Sequence, residues 1–262
     1  MLLDGPRARG AFLLRCLLSA PWSIRLEDRV PLSLTAVVRG GAWAVPDDAE
    51  PVALRPGDVV VAVGPRPWTL AHAADAAVTV VIGPGQECVA PDGRRLTEEY
   101  DLGVRTWGNS SDGETVLLTG SYLVEGEVSG RLLRALPPIF VVTESELGSP
   151  LLPLLSGEIV RDDPGQDAVL DRLLDLLLIA VVRTWFGKPG AAPPGWYLAQ
   201  ADPVVGPALR LLQTDPARET ALACARAATL HGRAGSVCSR RSAGPTTGSA
   251  WARYQPGGAA PG

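Results

Sequence analysis

The chain of 262 residues is poor in several residue types that mark common protein classes. It has two histidines, His72 and His231, and no pair among its cysteines has Cys-x-x-Cys spacing. This pattern indicates neither a disulfide framework nor a zinc site. The four cysteines are Cys16, Cys88, Cys224 and Cys238. Long apolar runs are also missing, because the run at residues 176–182 is far shorter than the roughly 20 residues that a membrane span needs. We therefore expect no membrane partner.

Motifs for nucleotides and a charge suited to nucleic acids are absent as well. The glycine-containing segments GPRPW and GPGQE have neither a Gly-x-Gly-x-x-Gly pattern nor a P-loop lysine, so the sequence does not support nucleotide binding. The net charge of −4 is too close to zero for nucleic-acid binding by bulk charge. No acidic residue follows Glu219, although five arginines do. Without a folded DNA-binding domain, such a tail would give only salt-sensitive, sequence-independent contacts with nucleic acid.

The first residues of the chain resemble a secretory signal only weakly. Asp4 precedes the basic residues, and Arg15 interrupts the apolar run. We therefore predict a cytoplasmic protein with reduced thiols. The leucines of residues 2–18 also fall on one side of a helical projection, which predicts a short amphipathic helix there.

From Trp22 onward the apolar pattern is that of β-structure. Short valine-rich segments end in Pro-Gly and Gly-Pro turns about every ten residues, which is typical of a sandwich or a barrel. Hydrophobic residues make up 46% of the chain, enough for a sizeable core. Residues 84–114 are polar and irregular, and we predict a long surface loop there with Tyr100 and Trp107 turned inward.

Residues 166–186 carry the strongest helical signal in the chain. Asp163 and Pro164 suit the cap and the first position of a helix, and Gly187 suits its end. At 1.5 Å per residue the helix would be about 30 Å long. Three aspartates spaced four residues apart are expected to form the solvent-exposed face of this helix. They are Asp167, Asp171 and Asp175.

The later part of this helix is apolar all round, so we expect it to contact two partners. One is its own domain and the other is a second subunit; burial within a single domain is the alternative. A preceding helix near residues 151–160 would complete a helical hairpin. The candidate seam for a homodimer has helical spacing. Its residues are Leu170, Leu173, Leu174, Leu177 and Val181.

Four ordered segments of the sequence resemble AraC-type transcription regulators that carry an N-terminal cupin sensor domain. They are VALRPGDVVVAVGPRPWTLA at 52–71, TVLLTGSYLVEGEVSGRLLRALPPIFVV at 115–142, GEIVRDDPGQDAVLDRLLDLLLIAVVRTWF at 157–186, and PPGWYLAQADPVVGPALRLLQTDPARE at 193–219. Each segment alone is weak, but their combination and order are specific. Together the resemblance covers about residues 1–220.

The resemblance implies a fold that is mainly β with α. It begins with a cupin-like double-stranded β-barrel sensor and continues with an α-helical hairpin that mediates dimerisation. A linker, a short remnant of a helix-turn-helix domain and a disordered or nonnative tail follow; Asp202 and Pro203 would begin the remnant's helix. The expected boundaries are residues 1–143, 144–187, 188–201, 202–220 and 221–262, in that order.

The residues depart from the family pattern where a cupin enzyme would bind metal. Trp68 stands where the family commonly has histidine, and Leu34 and Thr35 stand where Phe-His is frequent. His72 falls on neither position and is most simply a loop residue. We therefore predict no metal, no cofactor and no catalytic residue, with an unknown small-molecule effector in the barrel. The candidate ligand-binding residues are Trp43, Trp68 and Thr35, although the two tryptophans could equally be ordinary core residues.

The C-terminal sequence departs further from the family. Two helix-turn-helix units are expected after residue 200, yet only the segment 203–213 is recognisable. A one-base shift of the codons for residues 238–244 can encode Phe-Thr-Ala-Leu-Gly-Gly, which is close to the family's pattern, so we hypothesise a frameshift near residue 220. A disordered native tail is the alternative. The resulting prediction is a sensing and dimerisation domain of a transcription regulator, with DNA as a partner only if the C-terminal half is intact. A small cupin-fold enzyme or a metal-free small-molecule-binding protein is the alternative.

Overall fold

The structure is a computed structural model that describes residues 12–123, 128–203 and 205–207. The chain divides into two compact units, Met1–Leu198 and Ala199–Gly262. The first unit contains two β-sheets and the main helices. None of the described helices is long and apolar enough to cross a membrane.

The first sheet has six strands in the order β10-β1-β11-β3-β6-β12. Its central strands pair antiparallel, and Thr35 lies opposite Thr119 in the register of β3 and β11. The strands are β1 (Phe12–Leu18), β3 (Leu32–Arg39), β6 (Val59–Val63), β10 (Thr106–Gly108), β11 (Thr115–Tyr122) and β12 (Ile139–Val142).

The second sheet also has six strands, in the order β5-β4-β7-β2-β8-β9. Its strands are β2 (Ser23–Leu26), β4 (Ala42–Pro46), β5 (Val52–Leu54), β7 (Trp68–Ala71), β8 (Val80–Ile82) and β9 (Cys88–Val89). A single 3-10 turn, Pro84–Gln86, precedes β9. The sheets confirm the predicted fold class, mainly β with a cupin barrel.

The first sheet lies between the second sheet and the helices. Alternate residues of a strand point to opposite faces, and the strands of this sheet are buried on both. On β6, Val59 and Val61 belong to the core shared with the helices, whereas Val60 and Ala62 belong to the core shared with the second sheet. The continuous valine run of β6 therefore reflects burial on both faces.

The predicted helix over residues 2–18 is wrong for the described part of that segment. Residues 12–18 form strand β1, which pairs with β11 on one side and β10 on the other. Leu13 contacts the helix-side core, and Cys16 contacts the core between the sheets. Two buried faces give an apolar run without a clean period, so periodicity alone could not separate strand from helix.

The helices follow the strands in the second half of the first unit. They are α1 (Gly130–Leu133), α2 (Glu144–Leu147), α3 (Leu151–Glu158), α4 (Gln166–Phe186) and α5 (Gly195–Ala201). The bounds of α4 agree with the prediction, and so does its end at Gly187. The predicted cap is wrong, because Gly165 occupies that position in the left-handed conformation, with φ of 83°. Glycine adopts this conformation without steric cost, which frees the chain to turn sharply between α3 and α4.

Helix α4 lies against the first sheet, where Gly120 of β11 permits close approach. A methyl group at Gly120 would overlap the side chain of Leu174. Next to this contact, the hydroxyl of Tyr122 donates a hydrogen bond of 3.0 Å to the carboxylate of Asp175. The side chain of Asp175 is 7% exposed, so Asp175 does not belong to the solvent-exposed face on which it was predicted. The buried tyrosine compensates the carboxylate for the water it has lost.

The predicted dimer seam faces the barrel. Four of its residues are buried in the core that α4 shares with the first sheet, namely Leu170, Leu174, Leu177 and Val181. These four side chains are covered by their own chain and cannot contact a second subunit. Leu173 is half-buried and lies at the margin of the same core. The helical hairpin thus shares a hydrophobic core with the barrel.

Two glycine substitutions are expected to change stability in opposite directions. Gly120→Ala should lower the free energy of unfolding by about 1–3 kcal/mol, because the added methyl group displaces Leu174 from a packed core. Gly157→Ala should raise it by about 0.5–1 kcal/mol, because Gly157 lies in α3 with nothing near the position of a Cβ atom. Urea unfolding of both variants measures the difference. Equal effects at the two positions would contradict the close approach of α4 to β11.

The segment after α4 folds back against the end of α4 through aromatic contacts. Trp196 and Tyr197 of α5 lie against Phe186, and the guanidinium of Arg131 lies 5.4 Å from the Trp196 ring centroid. In the second unit, the carboxylate of Asp202 accepts a hydrogen bond of 2.7 Å from the backbone N–H of Val205. A cap at Asp202 would make such a bond, but most of the helix predicted over residues 203–213 lies outside the described residues. The hypothesis of a frameshift near residue 220 concerns residues outside the described part of the chain.

Candidate functional site

A cavity of about 280 Å³ lies between the two sheets of the barrel. Strands β1, β3 and β11 of the first sheet form one wall, and strands β2, β7, β8 and β9 of the second sheet form the other. The lining is formed by side chains of these strands that point between the sheets. Its volume is at the small end of the range of about 300–1,000 Å³ for ligand pockets.

Hydroxyl groups line the wall of the first sheet. Thr35 lies directly across from Thr119, and Ser33 lies directly across from Ser121. All four side chains face the cavity. The two threonine oxygens are 3.1 Å apart and share a hydrogen bond. Two successive cross-strand pairs therefore place four hydroxyls on one patch of the wall.

The wall of the second sheet is apolar. Ile24 and Leu26 of β2, Leu70 of β7 and Ile82 of β8 face the cavity. The parallel pairing of β2 with β8 sets Leu26 beside Ile82. The cavity thus has four hydroxyls on the wall of the first sheet, beside apolar residues such as Leu14 and Leu117, and aliphatic side chains on the wall of the second sheet.

The cavity opens beside the long segment that follows β9. Its charged lining residues are Asp28, Asp101 and Arg105, and none of them is buried, so we infer that they mark the side on which the cavity meets solvent. Asp28 accepts a hydrogen bond of 3.0 Å from the side chain of Gln86. Trp107 and Tyr100, with ring centroids 4.8 Å apart, pack on the core between the sheets, which confirms their predicted inward orientation.

Arg105 connects the opening of the cavity to α4. Its guanidinium donates a hydrogen bond of 2.8 Å to the side chain of Gln166 and forms an ion pair with Asp167. Both partners lie in the first turn of α4, where the side chain of Gln166 also donates a hydrogen bond to the carbonyl oxygen of Glu158 in α3. A lining residue of the cavity is therefore bound directly to the helical hairpin.

Two thiols in the cavity are held in the neutral form. Burial raises the pKa of the Cys16 thiol to about 12, although a hydrogen bond with Thr119 opposes the shift. Burial raises the pKa of the Cys88 thiol to about 11, against a hydrogen bond with Trp107. Because the thiolate is the reactive form of cysteine, both side chains are suited to packing against a ligand rather than to nucleophilic attack.

The predicted ligand-binding residues fall in three different places. Thr35 lines the cavity. Trp68 is buried in the core between the sheets but is not among the lining residues, and Trp43 is half-buried on the face of β4 opposite Ala42 and Ala44. The alternation of β4, in which alanines face the interior, sends Trp43 outward. Trp68 is therefore a core residue, and Trp43 is not part of the cavity.

His72 has a structural role at the end of β7. Its Nδ1 atom lies 3.1 Å from the backbone nitrogen of Trp22 and 2.7 Å from the carbonyl oxygen of the same residue. Within the described ranges, no group of three or more histidine, cysteine, aspartate or glutamate side chains is placed to hold a metal ion. His231 lies outside those ranges.

Sequence reasoning missed most of the cavity lining. These side chains lie at alternating positions of strands that were predicted correctly, namely Ser33 on β3 and Thr119 and Ser121 on β11. Because alternate residues of a strand point to the same face, the sequence indicated that the members of one strand share a face. The signal for Arg105 was weaker, because it lies in the irregular segment 84–114. Only the structure brings that segment to the barrel opening and to α4.

The comparisons with known proteins agree with this architecture. A family model described as Cupin matches residues 1–187, which is most of the chain and includes every strand and α4. The chain belongs to the cupin family. The match covers both walls of the cavity and the helix that lies on the outer face of the barrel.

The family assignment is extended by two relatives, both named as AraC-like transcription regulators. One, from Streptomyces antibioticus, is 27% identical over 207 residues, and the other, from Streptomyces lividans, is 26% identical over 207 residues. Each match covers 77% of this chain and 64% of the relative. The chain thus matches less than two thirds of each relative's length. These matches confirm the resemblance of this cupin domain to AraC-type regulators.

Solved structures of ToxT from Vibrio cholerae are more distant from this chain. The apo form is 9% identical, with a TM-score of 0.40, over 80% of this chain and 66% of that chain. A form bound to an unsaturated fatty acid is 9% identical, with a TM-score of 0.32, over 78% of this chain and 62% of that chain.

Proposed function

We propose that this chain is the effector-sensing and dimerisation module of an AraC-type transcriptional regulator. The observation that carries the proposal is the cavity in the barrel of a chain whose relatives are named transcription regulators. A protein that senses a small molecule needs an enclosed site with mixed polar and apolar walls, and the cavity has both. We expect binding rather than catalysis there, because the pKa values of both cavity thiols are raised.

The contacts of Arg105 supply a route from the cavity to the helical hairpin. Arg105 lines the opening and is bound to Gln166 and Asp167 in the first turn of α4. A ligand that moves this guanidinium changes the contacts of α4 as well. A ligand shifts an equilibrium only by contacts that differ between two states, and these contacts are suited to such a difference.

The outer face of α4 supports a homodimer. Val169, Leu173, Leu176 and Ala180 are spaced by four, three and four residues, which is the spacing of a helix–helix seam. Val169 and Leu176 are 45% and 49% exposed, and Arg172 and Arg183 flank the stripe. This outer stripe replaces the inner seam that was predicted from sequence, and it retains Leu173. We propose that it pairs with the same stripe of a second copy.

The purified chain is therefore expected to be a dimer. Sedimentation equilibrium at several concentrations measures the mass directly, and a mass near twice 27.4 kDa at micromolar concentration is the expected result. A dimer at this concentration corresponds to about −8 kcal/mol of association free energy. A monomer at all concentrations would contradict the dimerisation part of the proposal and would leave effector binding to be tested by itself.

The DNA-binding part of such a regulator is proposed to be incompetent in this chain. The proposal rests on the sequence after Glu219, which has five arginines, no acidic residue and no recognisable helix-turn-helix pattern. Cytoplasmic location and regulation of transcription are proposed together with it. A sensor that dimerises without reading DNA would act by forming mixed, inactive dimers with a complete relative.

A further inference from the structure

We propose that the effector of this cavity is an uncharged small molecule that carries oxygen atoms along one side and is apolar on the other. This inference rests on the proposed sensing function and adds the chemical class of the ligand. Three observations carry it, namely unpaired hydroxyls on one wall, aliphatic side chains on the other, and the arrangement of charge at the opening.

The hydroxyl wall has hydrogen-bonding capacity that the protein does not use. Ser121 is 2% exposed and faces the cavity, and its side chain has no hydrogen-bond partner within the described ranges. Ser33, directly across from it, is half-buried, and its side chain likewise has no hydrogen-bond partner among the described residues. Thr35 and Thr119 bond to each other and retain lone pairs. Buried polar groups are normally paired, so this patch is suited to a ligand with hydroxyl or carbonyl groups.

The opposite wall selects for an apolar surface. Ile24, Leu26, Leu70 and Ile82 present no polar side-chain atom to the cavity. A polar group placed against them would lose water without gaining a hydrogen bond, which costs roughly 1–3 kcal/mol. A flat ring bearing oxygens on one edge satisfies both walls, whereas a molecule that is polar on every side does not.

The charges at the opening disfavour an anionic ligand. The cavity is lined by two carboxylates, Asp28 and Asp101, and by one guanidinium, Arg105, which is already paired with Asp167. An anion would have to displace Asp167 and approach the other two carboxylates. A cation would have to bind at Asp28 and Asp101, because the hydroxyls and the neutral thiols of the lining carry no negative charge. A ligand held by the hydroxyl groups needs no charge of either sign, so we expect it to be uncharged.

A matched set of naphthalene compounds tests this inference with the full-length chain. Isothermal titration with naphthalene-2,3-diol, naphthalene, 2-naphthoate and 2-naphthylmethylammonium keeps the ring system constant and changes only its substituents. The diol is expected to bind tightest, because its oxygens reach the hydroxyl wall. Binding of either charged compound as tightly as the diol would overturn the inference, and so would the absence of binding by the diol.

Variants of the hydroxyl wall identify where the diol binds. Ser121→Ala and the double variant Thr35→Val/Thr119→Val are each expected to weaken diol binding about three- to tenfold, the effect of one lost hydrogen bond. Binding of unsubstituted naphthalene should be unchanged or tighter. Ser129→Ala is the control, because Ser129 is exposed and makes no side-chain cap bond.

Loss of diol affinity in the control as large as in the wall variants would overturn the location. The double valine variant removes both partners of the Thr35–Thr119 bond and also the bond of Thr119 with the Cys16 thiol, so urea unfolding checks that the fold is retained. The oligomeric mass of the chain is independent of these titrations. A dimer that does not bind the diol would refute the ligand class and leave the dimerisation proposal intact, whereas a monomer that binds the diol would do the reverse.

Discussion

Leu177→Ala is expected to lower the free energy of unfolding by about 2–5 kcal/mol. Leu177 is fully buried in the core that α4 shares with the first sheet, so the substitution removes apolar contacts and leaves a cavity that its neighbours fill only in part. Urea unfolding followed by circular dichroism measures the change. The preceding residue provides the control, since Leu176 is 49% exposed and Leu176→Ala should change the unfolding free energy of the monomer by about 0.5 kcal/mol or less.

Similar losses at the two leucines would mean that α4 does not have an inner and an outer face as described. Because the chain is proposed to dimerise, both variants are compared at one protein concentration and again after tenfold dilution. A contribution from dimerisation depends on concentration, whereas the contribution of the core at Leu177 does not.

Leu176→Glu is expected to convert the dimer to a monomer, with the dimer dissociation constant raised at least about 100-fold. The substitution places a carboxylate at the centre of the outer stripe, and a two-fold axis would bring two such charges together in an apolar contact, at a cost in repulsion and lost hydration. This change corresponds to about 3 kcal/mol of association free energy. Sedimentation velocity over a concentration series measures it, and circular dichroism shows whether the fold is retained.

Val52→Glu is the matched control for this substitution. Val52 is 42% exposed on β5, an edge strand of the second sheet, far in sequence from α4. It adds the same charge at a similar exposure and should leave the dimer intact. If both variants dissociate the dimer equally, the effect is one of net charge, and the outer stripe is not the interface.

The sequence predicted the elements whose boundaries have strong local chemistry. Helix α4 ends at Gly187 as expected. Short strands from Trp22 onward were also expected, because valine-rich segments alternate with Pro-Gly and Gly-Pro turns. Residues 12–18 were assigned to a helix because a strand buried on both faces has no alternation to detect.

The orientation of α4 could not be predicted for a physical reason. Its later turns are apolar on every side, so the sequence gives two possible stripes and no criterion to choose between them. The close approach at Gly120 and the bond between Tyr122 and Asp175 decide the orientation, and both depend on a strand about 50 residues earlier in the chain. Asp175 was expected in water because its partner on β11 could not be foreseen.

The candidate site was predicted only in part, because residue type was weighted above residue position. Trp43 and Trp68 were chosen since large aromatic side chains often form ligand pockets, yet one faces outward and the other fills the core. Thr35 was placed correctly. The hydroxyl wall follows from pairing β3 with β11 in one register, and that pairing joins residues about 85 positions apart.

The central claim is that this chain binds an effector and dimerises but does not bind DNA specifically. Titration of labelled duplex DNA with the protein tests this claim most directly. The DNA should include the region upstream of its own gene, at low salt and at physiological salt. The account predicts binding that is absent, or that occurs only at low salt as expected for a basic tail that neutralises phosphates. Tight binding to one sequence that persists at physiological salt would contradict it, because only a folded DNA-binding domain could provide such recognition.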